Sequence, residues 1–262
     1  MIGQRKLLAA IIGIFALLPL VMVLGSAFGT SRFPMFPPQG FGFGWFVEAW
    51  NKRDFREGFI ISFNLALLTS TTVTIAALII GRYIQKTQGL APKIVFGVLN
   101  LPVLVPLIVL ATASLQMWKS YGFYLDFRTL FLGHVIVGFP FAIRTVMIGY
   151  RNLSPAIEDV ARTLGASPAR IYLSVILPSM KPSIIASMVL VFVVSFDEVP
   201  MSLFLASPRT TPLSVAMFNS MTEELTPVLS AASFVVTGIA VVGMIVLERT
   251  IGIARAFGVK IQ

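Results

Sequence analysis

Six stretches of this sequence, at 7–28, 59–80, 94–117, 129–150, 184–206 and 227–247, run for about the length of a membrane span and are almost free of charge. Inside hydrocarbon every backbone N–H and C=O must be satisfied within the chain, which leaves helices and closed barrels as the only spanning structures. Runs of this length and continuity suit helices, so the chain is predicted to be all-α and polytopic, with about six transmembrane helices. Composition agrees: 56% of the 262 residues are hydrophobic and 12% are charged, which excludes an ordinary soluble domain. The net charge of +9 does not point to nucleic acid, because the Lys and Arg residues are spread between apolar runs and form no single basic face. With no cysteine, disulfides, thiolate-metal sites and cysteine nucleophiles are all excluded.

The placement of cations orients the chain. Arg5 and Lys6 precede the first run, which is too long for a signal-peptide core and lacks a clean cleavage site, so it reads as a retained anchor. Starting from the inside, the internal segments carry twelve Lys and Arg residues and the external ones seven. The positive-inside rule therefore predicts both termini in the cytoplasm, with the chain multi-pass in the membrane. The segment 29–58 is rich in Pro, Gly and Phe and is expected along the outer membrane surface, its aromatic rings at headgroup level. The expected organisation is an N-terminal helix and external loop (1–58), a five-helix core (59–248) and a cytoplasmic tail (249–262).

The loop between the fourth and fifth runs carries the most information. Ser154 can cap a helix, Pro155 suits its first position, and Glu158 and Asp159 lie near the first turn, where the helix dipole favours negative charge. Ile157, Val160, Ala161 and Leu164 recur at i, i+3, i+4 and i+7 as one apolar stripe, and Gly165 suits the C-cap. A second helix start follows at Ser167 and Pro168, running through Ile171, Val175 and Ile176 to Leu177 and Pro178. Two helices this short bury too little to be stable alone. Their apolar face must be covered either by the membrane bundle, as a plain linker, or by another protein.

The run from Asp159 through Ala161 to Gly165 and Ala166, followed by Val175-Ile176-Leu177-Pro178, resembles the EAA loop of permease subunits of binding-protein-dependent ABC importers, whose pattern is E-A-A-x3-G-x9-I-x-L-P. Asp159 stands for the Glu, Val160 for the first Ala and Val175 for the Ile, while Ala161, Gly165, Leu177 and Pro178 match in register. The resemblance covers roughly 59–248. It implies that this loop, 151–183, forms coupling helices seated on a separate ATPase, with Glu158, Asp159, Ala161, Gly165, Ala166, Leu177 and Pro178 as the coupling residues. It also implies a second homologous permease, two ABC ATPase subunits, a periplasmic or extracellular solute-binding protein and a small-molecule solute as partners, within membrane lipid. The sequence has no G-x4-G-K-[ST], and no Gly-Lys pair at all, so ATP and Mg are expected on the ATPase and no cofactor on this chain.

Asp197 and Glu198, beside Ser195, fall inside the fifth run just before Pro200. An intramembrane carboxylate costs about 2.5–3.5 kcal/mol and so faces a partner or a watery cavity. These three residues are candidates for the substrate pathway; the alternative is interhelical or subunit contact, with Arg144 as an ion-pair partner. The same segment, with Ser207-Pro208-Arg209-Thr210-Thr211-Pro212, resembles the second permease subunit of spermidine/putrescine importers, which implies a polyamine or related organic cation as solute. Alternatives are another small solute, such as an amino acid or opine, or a secondary transporter or channel; the latter would show inverted repeats and more buried ionisable residues. One His, at 134, and no clustered carboxylate-histidine set argue against an enzyme and give His134 a polar packing role.

Overall fold

The computed structural model describes residues 15, 17, 18, 20–223 and 226–251. Residues 7–14, 16 and 19 of the first apolar run, and the tail beyond 251, lie outside the described residues. After a helical stretch over 20–26, the helices are α1 (Gly44–Asn51), α2 (Arg53–Lys86), α3 (Leu90–Asn100), α4 (Leu107–Ser120), α5 (Phe127–Arg151), α6 (Pro155–Thr163), α7 (Pro168–Ile171), α8 (Lys181–Phe196), α9 (Pro200–Leu205), α10 (Leu213–Glu223) and α11 (Pro227–Ile251). No strand occurs among the described residues. The all-α expectation holds.

Three helices, α2, α5 and α11, are long and apolar enough to cross a membrane unbroken, or five if each of two bent pairs is one span. The third and fifth predicted runs need correction, because neither is a single straight helix. The run at 94–117 is split into α3 with a short 3-10 turn (Leu101–Val103) and α4, bent by 103°. Pro102 and Pro106 explain the break: each lacks an N–H for the helical ladder and disfavours the helical region for the residue before it. The run at 184–206 stops at Phe196 and resumes as α9 at Pro200. Ahead of it, the segment Pro168–Ser179 meets α8 at 68°.

By packing the chain divides into two units, one formed by residues up to Ile60 with Pro212–Ile239, the other by Ile61–Thr211 with the residues from Ala240 onward. In the first unit, Phe28 lies within 5.7 Å, centroid to centroid, of Phe41, Phe43, Phe46 and Phe234. The Trp45 indole N–H donates to the Gly29 carbonyl at 2.7 Å, and Thr30 N–H donates to the Gln39 carbonyl at 2.8 Å, closing the Pro/Gly-rich loop. Sequence reading had no signal for α1, an eight-residue helix held by these aromatic contacts.

The second unit is organised around α5, which packs against α8 and α9. Capping starts it firmly: the Asp126 carboxylate accepts from Arg128 and Thr129 N–H, and the Thr129 hydroxyl answers the Asp126 N–H. Small residues let the helices approach, as is usual in membranes. A Cβ at Gly149 would lie 2.7 Å from the Ser183 side chain of α8, and one at Gly133 would lie 2.8 Å from Met201 of α9. One buried cluster joins Val73, Ala77, Ile143, Val146, Tyr150, Ile171, Ile176 and Met180; another joins Leu65, Ala111, Leu130, Val137, Met201 and Leu205.

Candidate functional sites in the loop and the broken span

The loop between α5 and α8 folds as two helical pieces joined at a glycine, as the sequence suggests, with two local differences. Ser154 occupies the N-cap position of α6 but makes no side-chain capping bond. The second piece passes from α7 into a wide π turn (Tyr172–Ile176) and a last turn (Leu177–Ser179). Pro178 has no N–H to give a normal helical turn, and the wider register accommodates that gap. At the junction Gly165 sits at φ +78, the left-handed region that favours glycine. Gly165 N–H donates to the Arg162 carbonyl at 3.0 Å and Ala166 N–H to the Ala161 carbonyl at 3.1 Å, the bond pattern of a Schellman C-cap.

The predicted stripe on α6 divides. Ala161, with Ala166, Tyr172 and Leu177, packs against the core. Ile157, Val160 and Leu164 point away, Leu164 being 82% exposed. On the loop's second piece Leu173 is also exposed. Asp159, Gly165 and Pro178 are exposed as well, and so are Arg162 and Arg170, so the exposed side of the loop combines apolar side chains with charges of both signs.

Glu158 turns the other way. It is buried, and its carboxylate accepts from both terminal nitrogens of Arg82, Nη1 to Oε1 at 2.6 Å and Nη2 to Oε2 at 2.9 Å. Lys86 Nζ lies 2.6 Å from Oε2. Hydrogen bonding to the Arg82 guanidinium, opposed in part by burial and helped by Lys86, holds the Glu158 carboxyl down at about 2. Arg82 and Lys86 close the end of α2, 76 residues away from Glu158 for Arg82, and no local sequence signal links them.

The break in the fifth run is built with equal definition. Asp197 is the C-cap of α8 and Pro200 the first residue of α9. Glu198 is buried, and its two oxygens each accept a backbone N–H from the start of α9, from Met201 and Ser202, both at 3.0 Å. These are donors that a helix start leaves without intrahelical partners. His134 of α5, fully buried, spans the break: Nδ1 is 2.8 Å from the Ser195 hydroxyl before it and Nε2 is 2.9 Å from the Ser202 hydroxyl after it.

The three predicted pathway residues therefore separate. Ser195 is buried against His134, Glu198 caps α9, and Asp197 alone keeps its side chain exposed. The suggested Arg144 partnership is corrected: the Arg144 guanidinium donates to the Asn100 side-chain oxygen at the bend of the third run. Asn100 in turn donates to the Phe96 carbonyl at 2.7 Å, so the Arg144 guanidinium is held at the bend. No group of three or more His, Cys, Asp or Glu suited to a metal ion occurs among the described residues.

With this geometry in place, comparison with known proteins is informative. The chain is 24% identical over 234 residues to the spermidine/putrescine transport system permease protein PotC of Haemophilus influenzae, covering 89% of this chain and 90% of that one. It is 23% identical over 202 residues to the trehalose transport system permease protein SugB of Mycobacterium tuberculosis, covering 75% of this chain and 74% of that one. Its fold matches a chain of the bacterial alginate ABC transporter in complex with alginate pentasaccharide-bound periplasmic protein, with a TM-score of 0.70 at 16% identity over 99% of this chain and 96% of that one. The family described as "Binding-protein-dependent transport system inner membrane component" matches residues 74–250, so the chain belongs to that family, the non-catalytic permease subunits of ABC importers.

Proposed function

We propose that this permease subunit carries a polyamine or related organic cation, and that the observation bearing most on this reading is the exposed carboxylate of Asp197 at a break in a membrane helix. A carboxylate in that setting is stabilised by a passing cation and by water, and the break supplies backbone carbonyls that a lipid-facing helix would not free. Ser195, His134 and Glu198 hold the break rather than meet solute. Likeness to the spermidine/putrescine permease supports the cation, while likeness to the trehalose permease keeps a sugar as the second reading.

In this reading the loop 151–183 seats on an ATPase through Ile157, Val160, Leu164 and Leu173, with Asp159, Arg162 and Arg170 as exposed charged residues beside them. An apolar face this open on helices this short calls for a protein cover. ATP and Mg belong to two ATPase subunits, solute arrives from an external binding protein, and a homologous permease completes the path. Both termini face the cytoplasm. Closure of the ATPases moves the loop and opens the path outward; reopening exposes it inward.

The test is uptake of labelled putrescine and spermidine by membranes holding the assembled transporter, with unlabelled amines, amino acids and trehalose as competitors. ATP-dependent uptake that only amines block, and that Asp197→Asn lowers without loss of assembly, is the expected result. Uptake blocked by trehalose and indifferent to Asp197→Asn overturns the cation reading and favours the sugar.

A further inference from the structure

Glu158 lies in the loop assigned above to the ATPase, yet it faces the opposite way. Of the loop's two acidic residues, Asp159 is exposed and Glu158 is buried, held at 2.6 and 2.9 Å by the two arms of Arg82 and at 2.6 Å by Lys86. Bidentate Arg–carboxylate pairs fix orientation as well as distance, because the planar fork accepts only one approach. Arg82 also lies over the Tyr172 ring, 5.9 Å from guanidinium carbon to centroid. It therefore touches both halves of the loop, Glu158 on α6 and Tyr172 on the π turn. Around it, the Tyr150 hydroxyl donates to the Leu78 carbonyl at 2.8 Å and lies 3.2 Å from the Tyr172 hydroxyl. The end of α2 is thus bound to the loop by directional contacts at several points.

We propose that Arg82, Lys86 and Glu158 form a strut that transmits displacement of the loop to α2, with Glu158 a positioning residue inside the permease and not a contact to the ATPase. This rests on the importer reading of the loop. It adds that force entering at the exposed face of α6 leaves through its buried face. Without the ion pair, α6 has no charged tie to α2 and keeps to the bundle through Ala161 and its packing on α7 and the π turn, so its link to the end of α2 is loosened.

The experiment uses the assembled transporter in vesicles and two readouts. The first is solute moved per ATP hydrolysed, with putrescine as the probe, for Glu158→Gln, Arg82→Gln and the double variant. The second is the distance between spin labels on Thr87→Cys, just beyond α2, and Thr163→Cys, at the end of α6; this chain has no native cysteine to compete for label. Each single variant is expected to lower solute per ATP by about fivefold or more, the range of ordinary coupling between sites. The double variant should lose no more than either single one, since both act through one link. The label distance, narrow in the parent, should broaden in all three variants. An unchanged ratio overturns the strut even if the distance broadens, because the contact is then only a brace. A lowered ratio with unchanged distance overturns it too, since Glu158 would then act outside the permease. A parent transporter that moves no putrescine refutes the cation reading separately, and the ratio is then measured with trehalose, the solute of the second reading, beside the same label distances.

Discussion

Replacing Gly165 tests whether the geometry of the loop, and not only its sequence, is what the coupling requires. The residue sits at φ +78, and a Cβ built there meets nothing within 4 Å. The whole penalty of a side chain is therefore backbone strain, about 1–2 kcal/mol for an ordinary L residue in the left-handed region, less for Asn and more for a β-branched residue. Opposing it are the two bonds that close the turn, Gly165 N–H to Arg162 and Ala166 N–H to Ala161, worth about 1 kcal/mol each in water. Strain and retention are thus closely matched for Ala. Gly165→Asn should leave the turn closed, Gly165→Ala should open it in part, and Gly165→Val should release α6 from the second piece of the loop. Since each 1.4 kcal/mol is about tenfold in an equilibrium, uptake per ATP should fall only slightly for Asn, several-fold for Ala and about tenfold or more for Val. Uptake and ATP hydrolysis measured in the same vesicles give this ratio directly. A Val variant that couples like the parent refutes the argument. So does an Asn variant as damaged as Val, which would mean that bulk at the partner surface matters and φ does not.

Glu198→Gln keeps one acceptor and turns an amide N–H2 toward a backbone donor at the start of α9, so heat stability of the transporter should drop by about 1 kcal/mol, with no change in which competitors block uptake; a shifted competitor profile would return Glu198 to the solute path. Gly149→Leu would force a side chain into Ser183 at 2.7 Å and should cost about 1–3 kcal/mol by overpacking, read as a lowered unfolding temperature; an unchanged temperature would mean that α5 and α8 are not closely packed there. The Glu158 carboxyl is held below its usual range at about 2, and a depressed acid stabilises the fold above its ordinary value and loses that contribution as pH falls toward the depressed one. The spin-label distance from 87 to 163 should accordingly stay constant from pH 8 to pH 5 and broaden only between about pH 4.5 and 2; broadening already at pH 6 would refute the ion pair as the tie.

What could be read from the sequence was whatever a local rule governs. Apolar run length gave the spans that became α2, α5 and α11, and cap chemistry gave Pro155 and Pro168 as first residues and Gly165 as the turn, because each depends only on neighbours in the chain. The family resemblance was carried by the same local register. Pro200 marked the break in the fifth run, but the run at 94–117 was taken as one span: apolar run length does not register a break, and the 103° bend at Pro102 and Pro106, with Asn100 bonded to Arg144, appears only in the fold. Periodicity placed Ile157, Val160, Ala161 and Leu164 on one stripe without saying that Ala161 alone would face the bundle. The partners of Glu158 and His134 were beyond such rules, lying 76 residues away at Arg82 and 61 and 68 residues away at Ser195 and Ser202. Those distant pairings also redistribute the roles. Of the carboxylates that sequence reading grouped in twos, Glu158 and Glu198 turn inward to hold backbone and helix ends, while Asp159 and Asp197 stay outward. A buried acid without cations or N–H donors would be too costly to keep. Each pair therefore contains one residue satisfied within the chain and one left exposed, and the proposed contacts with solute and ATPase fall on the exposed one, while the proposed strut uses the buried Glu158.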